Sequence, residues 1–168
     1  MAQFEPAFEI MIANEGGYKL TNNPNDRGGV TYAGISRKFW LSWQGWAFID
    51  RDDIPPTQLV RDFYKTNFWD VIRGDELTDN RIASSIFNFA VNTGVKVAVK
   101  LAQIVVGVTP DGSLGEKTLA ALNASSASTF SSNYTLAKVA RYRDIVKRDP
   151  TQKVFLLGWI NRSLEGII

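Results

Sequence analysis

Residues 4–18 read FEPAFEIMIANEGGY, and residues 19–36 continue KLTNNPNDRGGVTYAGIS. Phe4, Ala7, Phe8, Met11 and Ile12 recur at helical spacing and Pro6 suits a first turn, so residues 4–15 are expected to form a helix with one apolar face. Glu5 and Glu9 fall off that face. Glu15 falls on it, three residues after Ile12 and four after Met11, which puts a carboxylate on the core-facing side of the last turn. Gly16-Gly17 then stops the helix. Five of the 13 glycines lie between Gly16 and Gly34, with Asn22 to Asp26 and Gly28-Gly29 as turn signals. This region reads as a loop or short hairpin, and Val30-Thr31-Tyr32 is its most strand-like stretch.

Beyond this opening the pattern is helical. Helices are expected over 57–70, 79–93 and 95–106, with Gly94 and Gly107 as C-terminal stops. Ser113-Leu114-Gly115-Glu116 has capping-box spacing and starts a helix through Leu122. The Ser-rich stretch 125–132 reads as a loop. A basic helix follows over 134–148, then a short apolar segment containing Phe155 and Trp159. The fold class is therefore α+β, mainly α, with a small glycine-rich β-hairpin region near the N-terminus.

The 168 residues suit one domain or one domain with an appendage, and 45% hydrophobic content excludes a disordered chain. There is no cysteine and no histidine, so disulfides, thiolate nucleophiles, Ser-His-Asp triads and most zinc sites are ruled out. Acid–base chemistry must use Asp, Glu, Lys or Tyr. The net charge of +2 is too small to point to nucleic acid. It is unevenly spread: residues 1–94 carry a net −3 and residues 95–168 a net +5, so the second half is expected to face something anionic. The N-terminus lacks a basic n-region and an apolar h-region, and no apolar run is long enough for a membrane span. The expectation is a soluble, monomeric chain made in the cytoplasm.

Paired carboxylates are the natural place for chemistry. Burial against apolar neighbours would raise the pKa of Glu15 and keep a proton available near neutral pH. From position alone it reads equally as a helix-end carboxylate bonding a glycine-turn N–H. Asp26, beside Arg27, reads as an ionised group that serves water, or, on its own more simply, as an Asx-turn residue. Thr31 could orient a water. Together a proton-holding acid, an ionised acid and a hydroxyl are what glycosidic cleavage needs. Trp40, Trp43 and Trp46 offer a stacking platform for sugar rings; equally, Phe39, Trp43 and Trp46 sit at helical spacing and read as core, which is favoured for at least two of the three tryptophans. The Asp50, Asp52, Asp53 cluster reads as a solvated loop, and no metal or organic cofactor is implied.

Asn14-Glu15-Gly16-Gly17-Tyr18, then Asn23-Pro24-x-Asp26-x-Gly28-Gly29-x-Thr31, then Tyr32-x-Gly34-Ile35-Ser36 closely resembles the opening of the Glu-Gly-Gly-Tyr N-acetylmuramidases, glycoside hydrolase family 108. Phe63-Tyr64-x-x-x-Phe68-Trp69-Asp70 and Ala90-Val91-Asn92-x-Gly94 resemble its following segments. Residues 95–168 resemble the family's C-terminal peptidoglycan-binding region through Asp111-Gly112-x-x-Gly115-x-x-Thr118-Leu119 and Gly158-Trp159-Ile160-Asn161-Arg162. The resemblance implies a lysozyme-like catalytic region over 1–94 and a helical peptidoglycan-binding region over 95–168. It implies Glu15 as catalytic acid, and a similarity to phage-type lysozymes adds Asp26 and Thr31 as water-handling partners. Tyr18, Tyr32 and Asn92, which lie in the matching motifs, are expected to bind substrate. The basic helix carrying Lys138, Arg141, Arg143, Lys147 and Arg148 would ordinarily be a solvated face; the resemblance makes Arg141, Lys147 and Arg148 candidates for wall contact.

The expected activity is hydrolysis of the β-1,4 bond from N-acetylmuramic acid to N-acetylglucosamine, by an endolysin that reaches the wall through a separate holin, or by a prophage remnant. The rivals are a lytic transglycosylase, a chitinase-like glycosidase and a non-catalytic wall-binding protein of a phage particle.

Overall fold

The computed structural model describes residues 1–22 and 29–164. The chain divides into two compact units, Gln3–Asp75 and Glu76 onward with Met1–Ala2. Among the described residues no helix is long and apolar enough to cross a membrane.

In the first unit α1 spans Phe4–Asn14 and buries the five residues of its apolar stripe, Phe4, Ala7, Phe8, Met11 and Ile12. It ends as the glycine pair requires. Gly16 and Gly17 take φ of +87° and +78°, and Gly17 N–H donates to the Ile12 carbonyl at 2.8 Å. Strands β1 (Leu20–Asn22), β2 (Val30–Tyr32) and β3 (Ile35–Ser36) form one antiparallel sheet in sequence order. The register pairs Leu20 with Tyr32 and Tyr32 with Ile35, and Thr21 with Thr31 and Thr31 with Ser36. One face of the sheet is thus apolar and the other carries a row of hydroxyls. The β2–β3 turn is Ala33-Gly34, both at positive φ (+49° and +79°), the geometry of a two-residue hairpin whose twist matches its strands.

Phe39, Trp43 and Trp46 do not share one helical stripe. Only α2, Trp46–Ile49, is helical, and Phe39 is 68% exposed rather than packed with Trp43 and Trp46. The turns before α2 are held by side chains instead: Trp46 Nε1 donates to the Trp40 carbonyl at 2.8 Å, and Arg37 grips Asp50 with both terminal nitrogens at 2.6 and 2.8 Å. Trp46 is buried, and Trp40 and Trp43 pack on Phe63 with ring centroids 4.8 and 6.4 Å away. Trp46 is therefore core, and Trp40 and Trp43 lie half-buried against Phe63. The expected helix 57–70 is α3, Thr57–Tyr64, followed by a wider turn, Lys65–Trp69, in which Asp70 N–H reaches the carbonyl five residues back at 2.9 Å.

The second unit is helical: α4 (Asn80–Thr93), α5 (Val95–Val105), α6 (Glu116–Asn123), α7 (Ala127–Arg148) and α8 (Leu156–Leu164). Asp79 caps α4 by accepting from the N–H groups of Arg81 and Ile82. Two expectations fail here. The Ser-rich stretch is the first two turns of α7, because Ala127 and Phe130 are buried and anchor it despite its weak propensity. The capping box does not form: Gly115 is the N-cap of α6, while Ser113 is drawn into another network. Its N–H donates to Asp111 and its carbonyl accepts from Gln103 Nε2 at 3.0 Å.

Candidate functional site

Glu15 sits at the C-cap of α1 with its N–H on the Met11 carbonyl at 3.0 Å, and it is half-buried. Its carboxylate reaches the β2–β3 turn. A Cβ added to Gly34 would lie 3.1 Å from Glu15 Oε2, 3.3 Å from its Cγ and 2.5 Å from the hydroxyl oxygen of Tyr64. The helix end, the hairpin turn and the last residue of α3 thus converge on one bare glycine Cα. Tyr64 is 1% exposed, and its hydroxyl donates to the Ala33 carbonyl at 2.8 Å. Burial pushes the Tyr64 phenol far up, and the charge of Glu15 pushes it further, so it stays protonated at every working pH.

Asp26 lies outside the described residues. Thr31 is central in the hydroxyl row, between Thr21 and Ser36, and its hydroxyl points to the Gly29 carbonyl at 3.5 Å. The side chains of Thr31 and Tyr32 lie on opposite faces of the sheet. Tyr32 is buried and stacked on Trp43 at 5.9 Å between centroids, so it meets the core with its ring. Tyr18 is at the surface near Arg61, Glu9 and Glu5; partial burial pushes its phenol up and Arg61 opposes that.

Two side chains of this unit were not foreseen. Arg61 of α3 bridges Glu5 and Glu9 of α1 and lies over the Phe8 ring at 4.8 Å, tying the two helices together. Tyr64 was visible only as part of the Phe63-Tyr64 motif. Nothing in local spacing brings it to Glu15, since the approach depends on packing between segments far apart in the chain.

The remaining candidates belong to the second unit. Asn92 is exposed near the end of α4, donates to the Asn88 carbonyl at 2.9 Å and accepts from Arg162. On α7, Lys147 is exposed, and Arg148 folds back so that Nε donates to the Asp144 carbonyl at 3.2 Å. Arg141 is half-buried, with an Nε that finds no hydrogen-bond partner among the described residues. Lys138 is not part of a solvated face. It is buried, its ammonium sits over the rings of Tyr134 and Phe89 at 4.7 and 5.2 Å, and burial pushes its pKa down to about 8. The Asp111-Gly112 motif is explained by structure. Buried Gln103 donates to Asp111 at 2.8 Å and to Thr118 at 3.0 Å, and accepts from Gly112 N–H at 2.8 Å.

Comparison with known proteins finds two family matches. Residues 8–94 match the profile described as glycosyl hydrolase 108, and residues 97–164 match that of a predicted peptidoglycan domain. The chain is also similar to a solved structure of Brucella abortus SagA, with 30% identity and a TM-score of 0.76 over 95% of this chain and 88% of that one. No curated protein sequence matches it.

Proposed function

The chain belongs to the glycosyl hydrolase 108 family and is a glycoside hydrolase acting on peptidoglycan, and on that premise we propose that it is an N-acetylmuramidase whose catalytic acid is Glu15. The observation that carries the reading is the place of Glu15: a half-buried carboxylate at a helix end, set against the bare Cα of Gly34. In this reading Glu15 gives its proton to the oxygen of the β-1,4 bond between N-acetylmuramic acid and N-acetylglucosamine as the C–O bond breaks. Asp26 serves the attacking water or the sugar cation, and Thr31 helps to orient that water.

The net positive charge of residues 95–168 supports a wall-holding role for that half, with Arg141, Lys147 and Arg148 toward anionic wall groups. Of the side chains before residue 95, Asn92 and Tyr18 are at the surface and are assigned to substrate binding, whereas Tyr32 is buried against Trp43 and is left out of that role. The resemblance to phage endolysins extends the proposal to an enzyme made in the host cytoplasm and released to the wall by a separate holin.

The test is mass spectrometry of fragments released from purified peptidoglycan. The proposal expects N-acetylmuramic acid as a free reducing sugar at the new ends. Glucosamine ends would make it a glucosaminidase, and anhydro ends a lytic transglycosylase, which needs no activated water.

A further inference from the structure

Tyr64 occupies a place that neither core packing nor the proposed chemistry accounts for by itself. Its ring is fixed on three sides, by Phe8, Phe63 and Phe68 at centroid distances of 6.1, 5.1 and 5.8 Å. Phenylalanine would fill that space equally well. What tyrosine adds is an oxygen, and that oxygen is aimed at the β2–β3 turn, where it spends its only proton on the Ala33 carbonyl at 2.8 Å. The hydroxyl is thereby locked in direction. Any further neighbour meets the lone pairs of an oxygen that cannot rotate to donate.

Glu15 lies beside the same turn. The point 2.5 Å from the Tyr64 oxygen, where a Gly34 side chain would begin, is 3.1 Å from Glu15 Oε2. The influence of Glu15 on the Tyr64 phenol reports the same closeness electrostatically. Gly34 also has φ of +79°, which glycine adopts at no steric cost. The turn geometry and the empty space beside two oxygens both call for glycine, and the second reason concerns Glu15 directly.

We propose that Tyr64 is a positioning residue for Glu15: its hydroxyl, clamped to the Ala33 carbonyl, forms with the bare Cα of Gly34 the wall against which the Glu15 carboxyl is set. The inference rests on the reading of Glu15 as the catalytic acid. A general acid must hold its proton within hydrogen-bond reach of the leaving oxygen, and displacement by about 1 Å can cost a hundredfold in rate. A wall that fixes the carboxyl without touching the sugar acts on the chemical step and leaves binding alone.

The experiment measures kcat and KM on a soluble glycan-chain fragment of peptidoglycan for Tyr64→Phe, Gly34→Ala, the double variant and Glu15→Gln. Folding of each is checked by circular dichroism. Tyr64→Phe is expected to lower kcat by about tenfold or more with KM unchanged within about twofold. Gly34→Ala should lower kcat as well, because its Cβ meets the Tyr64 oxygen. The double variant should recover part of that loss, since the oxygen in the way is gone; the two changes are therefore coupled. Parental kcat in Tyr64→Phe, a raised KM with kcat kept, or losses that simply multiply in the double variant would each overturn the proposal. If Tyr64→Phe does not fold, Gly34→Ala carries the test alone, and a folded Gly34→Ala with parental kcat overturns it. Glu15→Gln separates the two levels. Retained activity there removes the catalytic reading itself, whereas an inactive Glu15→Gln beside a fully active Tyr64→Phe removes only the positioning role.

Discussion

At the scale of single residues, Lys138 shows how a charge can be carried inside a helical unit. Its ammonium has two ring faces and the Ser85 hydroxyl at 3.4 Å, but among the described residues no carboxylate pairs with it. Burial lowers its pKa from 10.5 to about 8, so between those values the unfolded chain binds more protons than the folded one. Stability from this group therefore rises with pH across that window, and the full cost of the buried charge is present below about pH 8. The ring contacts offset part of that cost. Lys138→Met is expected to be more stable than the parent by about 1–2 kcal/mol at pH 7, the difference narrowing as pH rises toward 10. Urea denaturation of both proteins at pH 7 and pH 9.5 measures this. A variant less stable than the parent at pH 7 would mean that the ring contacts outweigh desolvation. The sequence placed Lys138 in a run of basic residues and gave no sign that its helical neighbours Tyr134 and Tyr142 also turn inward.

At the scale of elements, legibility follows the range of the forces. The stripe of α1 and its glycine stop are local, so both were readable, and with them the placing of Glu15 at the helix end. The start of α7 was not, because it is decided by burial of Ala127 and Phe130 against a propensity that favours a loop. Phe39, Trp43 and Trp46 have helical spacing, yet hydrogen bonds to backbone carbonyls hold Trp43 and Trp46 in a turn-rich segment. The loop between α5 and α6 is likewise set by one long-range partner. Gln103, 1% exposed, makes hydrogen bonds to Asp111, Gly112, Ser113 and Thr118. Gln103→Ala is expected to cost about 2–4 kcal/mol, because several partners lose their bonds in one step. Thermal unfolding checks it, and a change below about 0.5 kcal/mol would mean that the loop holds itself.

At the scale of the whole molecule, two divisions of the chain coexist. The family profiles and the swing in charge divide it near residues 94–97, whereas the compact units divide at Asp75 and Glu76. The segment between holds α4, which packs with α5 and α7. Residues 1–94 are proposed to carry the chemistry and residues 95–168 to hold the wall. Neutralising Arg141, Lys147 and Arg148 together should therefore weaken binding to purified cell wall at low salt, with the difference shrinking at high salt, while turnover of a short soluble fragment changes little. Wall binding equal to the parent at every salt concentration would make these side chains a plain solvated face. Lost turnover in a folded variant would make the division itself wrong.

The central claim is that Glu15 supplies the proton for cleavage, and Glu15→Gln tests it most directly because the amide keeps the shape and removes the acid. New reducing ends released from purified peptidoglycan should fall by at least about 10²–10⁴-fold, with the melting temperature within a few degrees of the parent. A folded Glu15→Gln protein that releases reducing ends at near the parental rate would contradict the account.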